Sequence, residues 1–243
     1  MHLVRRSDIF AAKDLTYWSN AFYAGDGIMV YGEGCDCTLG GQRVNYLSAG
    51  LDVVAHELSH GVTEFTSNLD YVNESGALNE AFSDIMGTSV EFFYQPVGTG
   101  RQKADYLIGE DVFTASAAGT IDGIRSMANP ALFGYPDHYS KRYIGTSDNG
   151  GVHINSNIVN HAFYLTIEGG TNRTSGLSVA GVGASNRLQM ERVFYRAFAQ
   201  LMPSNATFAT ARAVTLQAAQ DLYGTTSAAY AAVRDAWTAV GVN

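Results

Sequence analysis

Two histidines and a glutamate in the segment His56-Glu57-Leu58-Ser59-His60 have the types and spacing of a metal-dependent hydrolytic site. Residues four apart on a helix project from one face, one turn apart, so both imidazoles can reach a single metal ion. Glu57 lies beside that position, where it can hold a water molecule rather than the metal. The pattern is typical of zinc peptidases. A buried helix with two surface histidines is the alternative, because short motifs recur by chance.

A catalytic zinc ion needs three protein ligands and an open position for water, and Glu80 is the candidate for the third ligand. It follows His60 after nineteen intervening residues, and Asp84 comes one helical turn later. Apolar residues surround both acids, which predicts a buried helix, and a buried carboxylate requires a partner. Glu80 can bind the metal while Asp84 accepts a hydrogen bond from the free ring nitrogen of a zinc histidine. Two surface acids on an amphipathic helix do not fit these apolar surroundings.

The order of these motifs resembles the thermolysin family of zinc endopeptidases. The resemblance runs from about Asn20 to the C-terminus and includes further segments at 20–23, 71–76, 108–112, 125–127 and 148–155. It implies an α+β fold with a partial β-rich N-terminal lobe over residues 1–50, a helical catalytic lobe over residues 51–243, and the zinc site between them. The chain would begin partway through the family's first lobe. One catalytic zinc ion would be held by His56, His60 and Glu80.

The resemblance also implies roles for residues around the metal. Glu57 would act as general base, and Tyr71 and His153 would donate hydrogen bonds to the oxyanion of the intermediate. Asp148 would orient His153, since an aspartate paired to one ring nitrogen favours the protonated imidazole and leaves the other nitrogen to donate.

Substrate-binding residues follow from the same resemblance. Asn20 and Ala21 would belong to an edge strand that pairs with the substrate backbone, and Arg125 would hold a substrate carbonyl. The pocket for the residue after the scissile bond would be lined by five aliphatic residues, which are Leu47, Val53, Ile108, Val112 and Ile124. Such a pocket predicts cleavage of peptides or proteins before Leu, Ile, Val or Phe.

Carboxylates that zinc does not explain predict a second kind of metal site. Hard oxygen ligands brought together from several segments suit calcium. The resemblance implies at least one structural calcium ion and adds the main-chain carbonyl of Leu107 to its ligands. The acidic ligands would be Asp52, Glu91, Asp105 and Glu110.

The overall composition narrows the class of partner. The chain of 243 residues has 15 basic and 23 acidic residues and a net charge of −8, which argues against nucleic acid. No apolar run approaches the roughly 20 residues of a membrane span, so no membrane partner is predicted.

We expect a monomer. No apolar signal segment is visible at the N-terminus, and secretion is implied by the family resemblance and the expected calcium site. Cys35 and Cys37 either form a small strained disulfide or stay a free pair.

Local patterns predict the elements that must position these residues. Short strands are expected at 20–23 and 28–31, around the glycines at 25 and 27, and a loop is expected from Gly34 to Gly41. Helical periodicity predicts helices at about 52–66, 77–94, 155–168, 186–201, 207–223 and 227–240.

Two other readings of the motifs remain open. An aminopeptidase could carry the same zinc ligands. Such enzymes have a spacing one residue shorter before the zinc-binding glutamate, and they have a Gly-x-Met-Glu-Asn motif that the chain lacks. A truncated relative could bind zinc with an incomplete cleft and little or no activity. The presence of Glu57, Tyr71 and His153 counts against a truncated relative with little or no activity.

Overall fold

The computed structural model describes residues 2–3, 20–39, 42–113 and 122–243, without the side chains of 2–3, 35–39 and 42–43. Its contacts divide the chain into two compact units. The first unit comprises residues 1–61 and 86–124, and the second comprises residues 62–85 and 125–243. Short strands in the first part of the chain and long helices in the rest confirm the predicted α+β class.

A small sheet in the first unit contains the predicted hairpin. Strand β2 (Ala21–Tyr23) pairs antiparallel with β3 (Ile28–Tyr31), whose other side carries β1 (His2–Leu3) in parallel. The turn between β2 and β3 has positive φ at Gly25, Asp26 and Gly27, which explains its glycines. Strand β2 is therefore an edge strand of the described sheet.

The predicted loop from Gly34 to Gly41 is wrong, because most of it forms a second hairpin. Strand β4 (Cys35–Leu39) pairs antiparallel with β5 (Gln42–Val44), with an irregularity between Cys35 and Thr38. Loops and hairpins share the same turn-forming residue types, so composition alone did not separate the two. Residues 40 and 41 and the side chains of Cys35 and Cys37 lie outside the described part of the chain. The two alternatives for these cysteines, a disulfide or a free pair, therefore stay predictions.

Helices α1 (Leu51–Glu64) and α2 (Asn73–Tyr94) carry the metal motifs. Within the first unit they approach closely at Gly87, where an added Cβ would lie 2.7 Å from the main-chain oxygen of Asp52. Strand β6 (Leu107–Ile108) and the 3-10 turn Glu110–Val112 follow α2. Beside them lies the core of this unit, formed by Val44, Leu47, Val53, Val112 and Phe113.

The second unit is mainly helical around an aromatic core. Its elements after α2 are β7 (Arg125–Ser126), α3 (Ser147–Glu168), β8 (Gly170–Thr171), β9 (Ser178–Val179), α4 (Arg187–Arg196) with a π-helical turn to Leu201, α5 (Phe208–Tyr223) and α6 (Ala228–Ala239). Phe82 stacks on Phe198 with ring centroids 5.1 Å apart, and Trp237 is fully buried. Gly169 and Gly224 follow the last residues of α3 and α5, and both have positive φ. None of the described helices combines the length and apolar character needed to cross a membrane.

Candidate active site and metal sites

The two histidines of α1 converge as their spacing predicts. The Nε2 atoms of His56 and His60 lie 3.1 Å apart, with the rings nearly perpendicular. Two nitrogens bound to one tetrahedral zinc ion at about 2.0–2.1 Å would be about 3.3 Å apart. The observed pair therefore fits a shared zinc ion without rearrangement of the helix.

Glu57 is buried on the same helix, next to the first histidine. Tyr31 of β3 lies near Glu57. Burial and the negative charge of Glu57 together raise the pKa of the Tyr31 hydroxyl. That hydroxyl donates to the main-chain oxygen of Val54 at 3.4 Å, which anchors the sheet to α1. Sequence analysis did not single out Tyr31, since a tyrosine in a strand carries no signal of what it faces.

In the second unit, Glu80 lies among the predicted oxyanion donors. The hydroxyl of Tyr71 donates to Glu80 Oε1 and lies 3.3 Å from Nε2 of His153. Nε2 of His153 is also 3.5 Å from Glu80 Oε1. Glu80 is fully buried, whereas the other two side chains are about half exposed, so they can reach a ligand from solvent.

Asp148 holds His153 through both carboxylate oxygens. Its Oδ1 lies 2.6 Å from the ring Nδ1, and its Oδ2 accepts from the His153 main-chain N–H at 2.9 Å. Four consecutive residues, Asp148 to Gly151, have left-handed φ values, which turns the aspartate back toward the first turn of the regular helix. An added Cβ at Gly150 would lie 2.2 Å from the side-chain oxygen of Asn73, so this turn requires glycine there.

Asp84 makes a buried ion pair that the sequence did not predict. Its Oδ2 accepts from Arg125 Nε at 2.8 Å, and its Oδ1 accepts from Arg125 Nη2 at 2.7 Å. Asn160 of α3 donates a further hydrogen bond to Asp84 Oδ2 at 2.7 Å. Burial opposes the charge of Arg125, but the facing carboxylate outweighs it and raises the pKa of the guanidinium. The predicted bond from Asp84 to a zinc histidine stays a prediction.

The predicted substrate-contacting residues of the first unit gather around its core. Leu47, Val53 and Val112 pack in one buried cluster, and Ala21 of the edge strand packs against it. Ile108 is buried, and its main-chain oxygen accepts from the N–H of Ile124, which is 40 % exposed. Asn20 precedes the edge strand, and its main-chain oxygen accepts from Gly32 N–H at 2.9 Å.

Buried carboxylates from three segments meet in the first unit. Asp52 Oδ2 accepts from Gly109 N–H at 2.5 Å, and Asp105 Oδ1 accepts from Leu107 N–H at 2.7 Å. The carboxylate oxygens of Glu91 and Glu110 are buried and have no hydrogen-bond partner among the described residues. Burial, followed by the neighbouring acids, raises the pKa of Glu91 to about 9 and that of Glu110 to about 10. We call these four acids and Asp111 the acidic cluster.

Asp111 is a member of the acidic cluster that sequence analysis missed. Ligand atoms of Glu91, Glu110 and Asp111 lie within 4.8 Å of one another. Asp111 also accepts from Gln102 N–H at 2.6 Å and from Gln95 Nε2 at 3.3 Å, which fastens the loop after α2. The signal available in the sequence was its position directly after Glu110.

Two family profiles match consecutive parts of the chain, and curated proteins match most of it. A family profile described as "Thermolysin metallopeptidase, catalytic domain" matches residues 8–64, and one described as "Thermolysin metallopeptidase, alpha-helical domain" matches residues 67–242. The chain is 50 % identical over 226 residues to "Bacillolysin" of Bacillus cereus, which covers 93 % of this chain and 37 % of that protein. It is 49 % identical over 225 residues to "Thermolysin" of Alicyclobacillus acidocaldarius subsp. acidocaldarius, covering 93 % of this chain and 38 % of that protein.

A solved structure agrees with these sequence matches. The precursor of protealysin, a metalloproteinase from Serratia proteamaculans, superimposes with a TM-score of 0.72 at 33 % identity, covering 94 % of this chain and 66 % of that chain. The chain thus spans well under half the length of the two curated relatives described above. Because the helical-domain profile alone matches most of the sequence, the chain belongs to the thermolysin family of metallopeptidases.

Proposed function

We propose that this protein is a zinc endopeptidase in which His56, His60 and Glu80 bind one catalytic zinc ion. The observation that carries the proposal is the histidine pair on α1, whose Nε2 atoms are 3.1 Å apart and so fit a shared ion. Glu80 is proposed as the third ligand because it follows His60 after nineteen intervening residues, in the order of the family's motifs. Membership of the thermolysin family supports the same assignment, since that family is described as metallopeptidases.

Glu57 is proposed as the general base. When bound, zinc would lower the pKa of its water to about 7 and so supply a nucleophile at neutral pH. Glu57 accepts the proton of that water and later passes it to the leaving amine. Its position directly after His56 on the same helix supports this role, because the side chain then lies beside the metal ligands rather than among them.

Tyr71 and His153 are proposed to stabilise the oxyanion that forms when the peptide carbonyl is attacked. Both side chains lie next to Glu80 and are open to solvent, so their donor atoms can reach a bound substrate. Asp148 lies against Nδ1 of His153 and would favour a ring protonated on both nitrogens, in which Nε2 can also donate.

The substrate is proposed to lie along β2, with the main chain of Asn20 and Ala21 adding it as a further strand. Support comes from the position of β2 at the edge of the described sheet. Arg125 holds a substrate carbonyl, with Asp84 behind it as counter-ion. The pocket for the residue after the scissile bond is proposed to be lined by aliphatic residues and so to favour cleavage before Leu, Ile, Val or Phe. These are Leu47, Val53, Ile108, Val112 and Ile124, of which Leu47, Val53 and Val112 share one buried cluster.

The acidic cluster is proposed to hold at least one structural calcium ion. The ligands are Asp52, Glu91, Asp105 and Glu110 with the main-chain carbonyl of Leu107, and Asp111 lies close enough to join them. Buried carboxylate oxygens without hydrogen-bond partners fit a cation, because burying several negative charges together is otherwise costly. An all-oxygen donor set suits calcium better than zinc. Together with the family relationship, the proposed calcium site favours secretion, and we propose a monomer that acts on peptides or proteins.

The proposed activity is tested with a blocked peptide that carries leucine after the scissile bond. The wild-type chain should cleave it, a zinc chelator should stop cleavage, and added zinc should restore it. The variant Glu57→Gln should lose turnover while metal analysis still finds one zinc ion per chain, because the side chain acts on water and not on the metal.

Two results would overturn parts of this proposal. Stoichiometric loss of zinc from Glu57→Gln would assign Glu57 as a ligand. Zinc binding by the wild type without any cleavage would favour the alternative of a zinc-binding relative with little or no activity.

A further inference from the structure

Helices α2 and α3 contact each other at two successive levels. His153 and Asn160 are seven residues apart on α3 and so share a face. Opposite them, Glu80 and Asp84 are one turn apart on α2. His153 Nε2 lies 3.5 Å from Glu80 Oε1, and Asn160 Nδ2 lies 2.7 Å from Asp84 Oδ2. The contact at Asn160 therefore belongs to the same helix interface that presents His153.

The bond from Asn160 reaches the carboxylate that holds Arg125. Asp84 Oδ2 accepts both from Asn160 Nδ2 and from Arg125 Nε, and its other oxygen accepts from Arg125 Nη2. The two hydrogen bonds from the guanidinium hold Arg125 and Asp84 in one plane. They do not prevent the Asp84 carboxylate and the guanidinium from rotating together. A third donor from a separate helix removes this freedom. Asn160 thereby restricts the orientation of the Arg125 guanidinium.

Asn160 is poorly suited to a role in stability alone. Its side chain is fully buried, and its Oδ1 has no hydrogen-bond partner among the described residues. An ionised carboxylate can only accept, so the amide nitrogen must face Asp84 and the oxygen must point elsewhere. A buried amide oxygen without a hydrogen bond destabilises the fold. An apolar residue of similar shape would avoid that cost but would supply no donor.

We propose that Asn160 is a positioning residue, which fixes Asp84 and through it the orientation in which Arg125 binds a substrate carbonyl. The inference rests on the proposed endopeptidase function for the role of Arg125, and on the hydrogen bonds alone for the role of Asn160.

The first test compares Asn160→Leu with wild type on the blocked peptide. We expect kcat/KM to fall about tenfold, as for loss of one hydrogen bond to a charged group, with zinc content unchanged. In an Arg125→Ala background, Asn160→Leu should have no further effect on kcat/KM, because its effect passes through Arg125. Equal losses of kcat/KM in both backgrounds would overturn the proposal.

Asn157→Leu is the matched control. Asn157 is buried on the same helix and also has an amide oxygen without a described partner, but its Nδ2 donates to the main-chain oxygens of His153 and Ile154. We expect its kcat/KM to stay within about twofold of wild type. The same tenfold loss in Asn157→Leu would show that any disturbance of α3 lowers activity.

A second measurement does not depend on catalysis. The Nε–H NMR signal of Arg125, assigned by its loss in Arg125→Lys, should be slow to exchange with water in the wild type and in Asn157→Leu. It should exchange at least tenfold faster in Asn160→Leu, because the guanidinium is held less firmly. If the wild type cleaves no peptide, the proposed function fails while this measurement still decides the role of Asn160. An unchanged exchange rate in Asn160→Leu would overturn that role.

Discussion

Removing calcium should lower the stability of this protein, and neutralising Glu91 should reverse part of that loss. Calcium that binds only the folded state stabilises it by RT ln(1 + [L]/Kd), which is about 2.7 kcal/mol at a hundredfold excess over Kd. For a chain of this length, that corresponds to about 5–10 °C in melting temperature. We therefore expect a fall of this size when a calcium-selective chelator replaces millimolar calcium with zinc retained.

The variant Glu91→Gln separates the calcium site from a general effect of the ion. Ligand atoms of Glu91, Glu110 and Asp111 lie within 4.8 Å of one another. At that distance two full charges repel by about 3–4 kcal/mol for an effective dielectric constant of about 20. Without calcium the carboxylates avoid part of this repulsion by binding protons, so a stabilisation of about 1–3 kcal/mol is expected from removing one charge. Glu91→Gln should therefore melt above wild type in chelator and below wild type in calcium.

Thermal unfolding followed by circular dichroism measures both effects in one experiment. Glu33→Gln is the control, since it makes the same charge change at an exposed position of the same unit. It should follow the wild type in both buffers. A melting temperature that does not respond to calcium would refute the calcium site, and a Glu91→Gln variant that responds as fully as wild type would refute the role of Glu91 in it.

Three further predictions concern the second unit. His153→Ala should lower kcat by about 10²–10³ with little change in KM, because an oxyanion donor acts in the transition state, and steady-state kinetics showing a higher KM alone would contradict it. Burial lowers the pKa of His161, so below about pH 6.5 the unfolded chain binds a proton that the folded chain does not. The free energy of unfolding therefore decreases as the pH is lowered. Urea unfolding between pH 7 and 5 should show a smaller fall in His161→Gln than in wild type. Gly150→Ala should lower both melting temperature and activity, because φ is 87° and the new Cβ would lie 2.2 Å from the side-chain oxygen of Asn73.

Local features were the ones that the sequence specified well. The hairpin at 20–31 and the ends of α3 and α5 follow from glycines that local backbone geometry requires. Helix periodicity placed α1 correctly to within two residues at each end and α2 to within four residues at its start. The hairpin of β4 and β5 was missed, since composition does not separate a loop from a hairpin and only cross-strand pairing distinguishes them.

The chemistry of the candidate site was specified by the sequence because it depends on spacing along a helix. His56 and His60 share a face through the helical repeat alone, and so do Glu80 and Asp84. Tertiary structure decided what those faces meet. Arg125 and Asn160 reach Asp84 from 41 and 76 residues away, and Asp111 joins Glu91 in the acidic cluster. A repeat of 3.6 residues states which side chains point together, but it carries no information about the distant segment that packs against them.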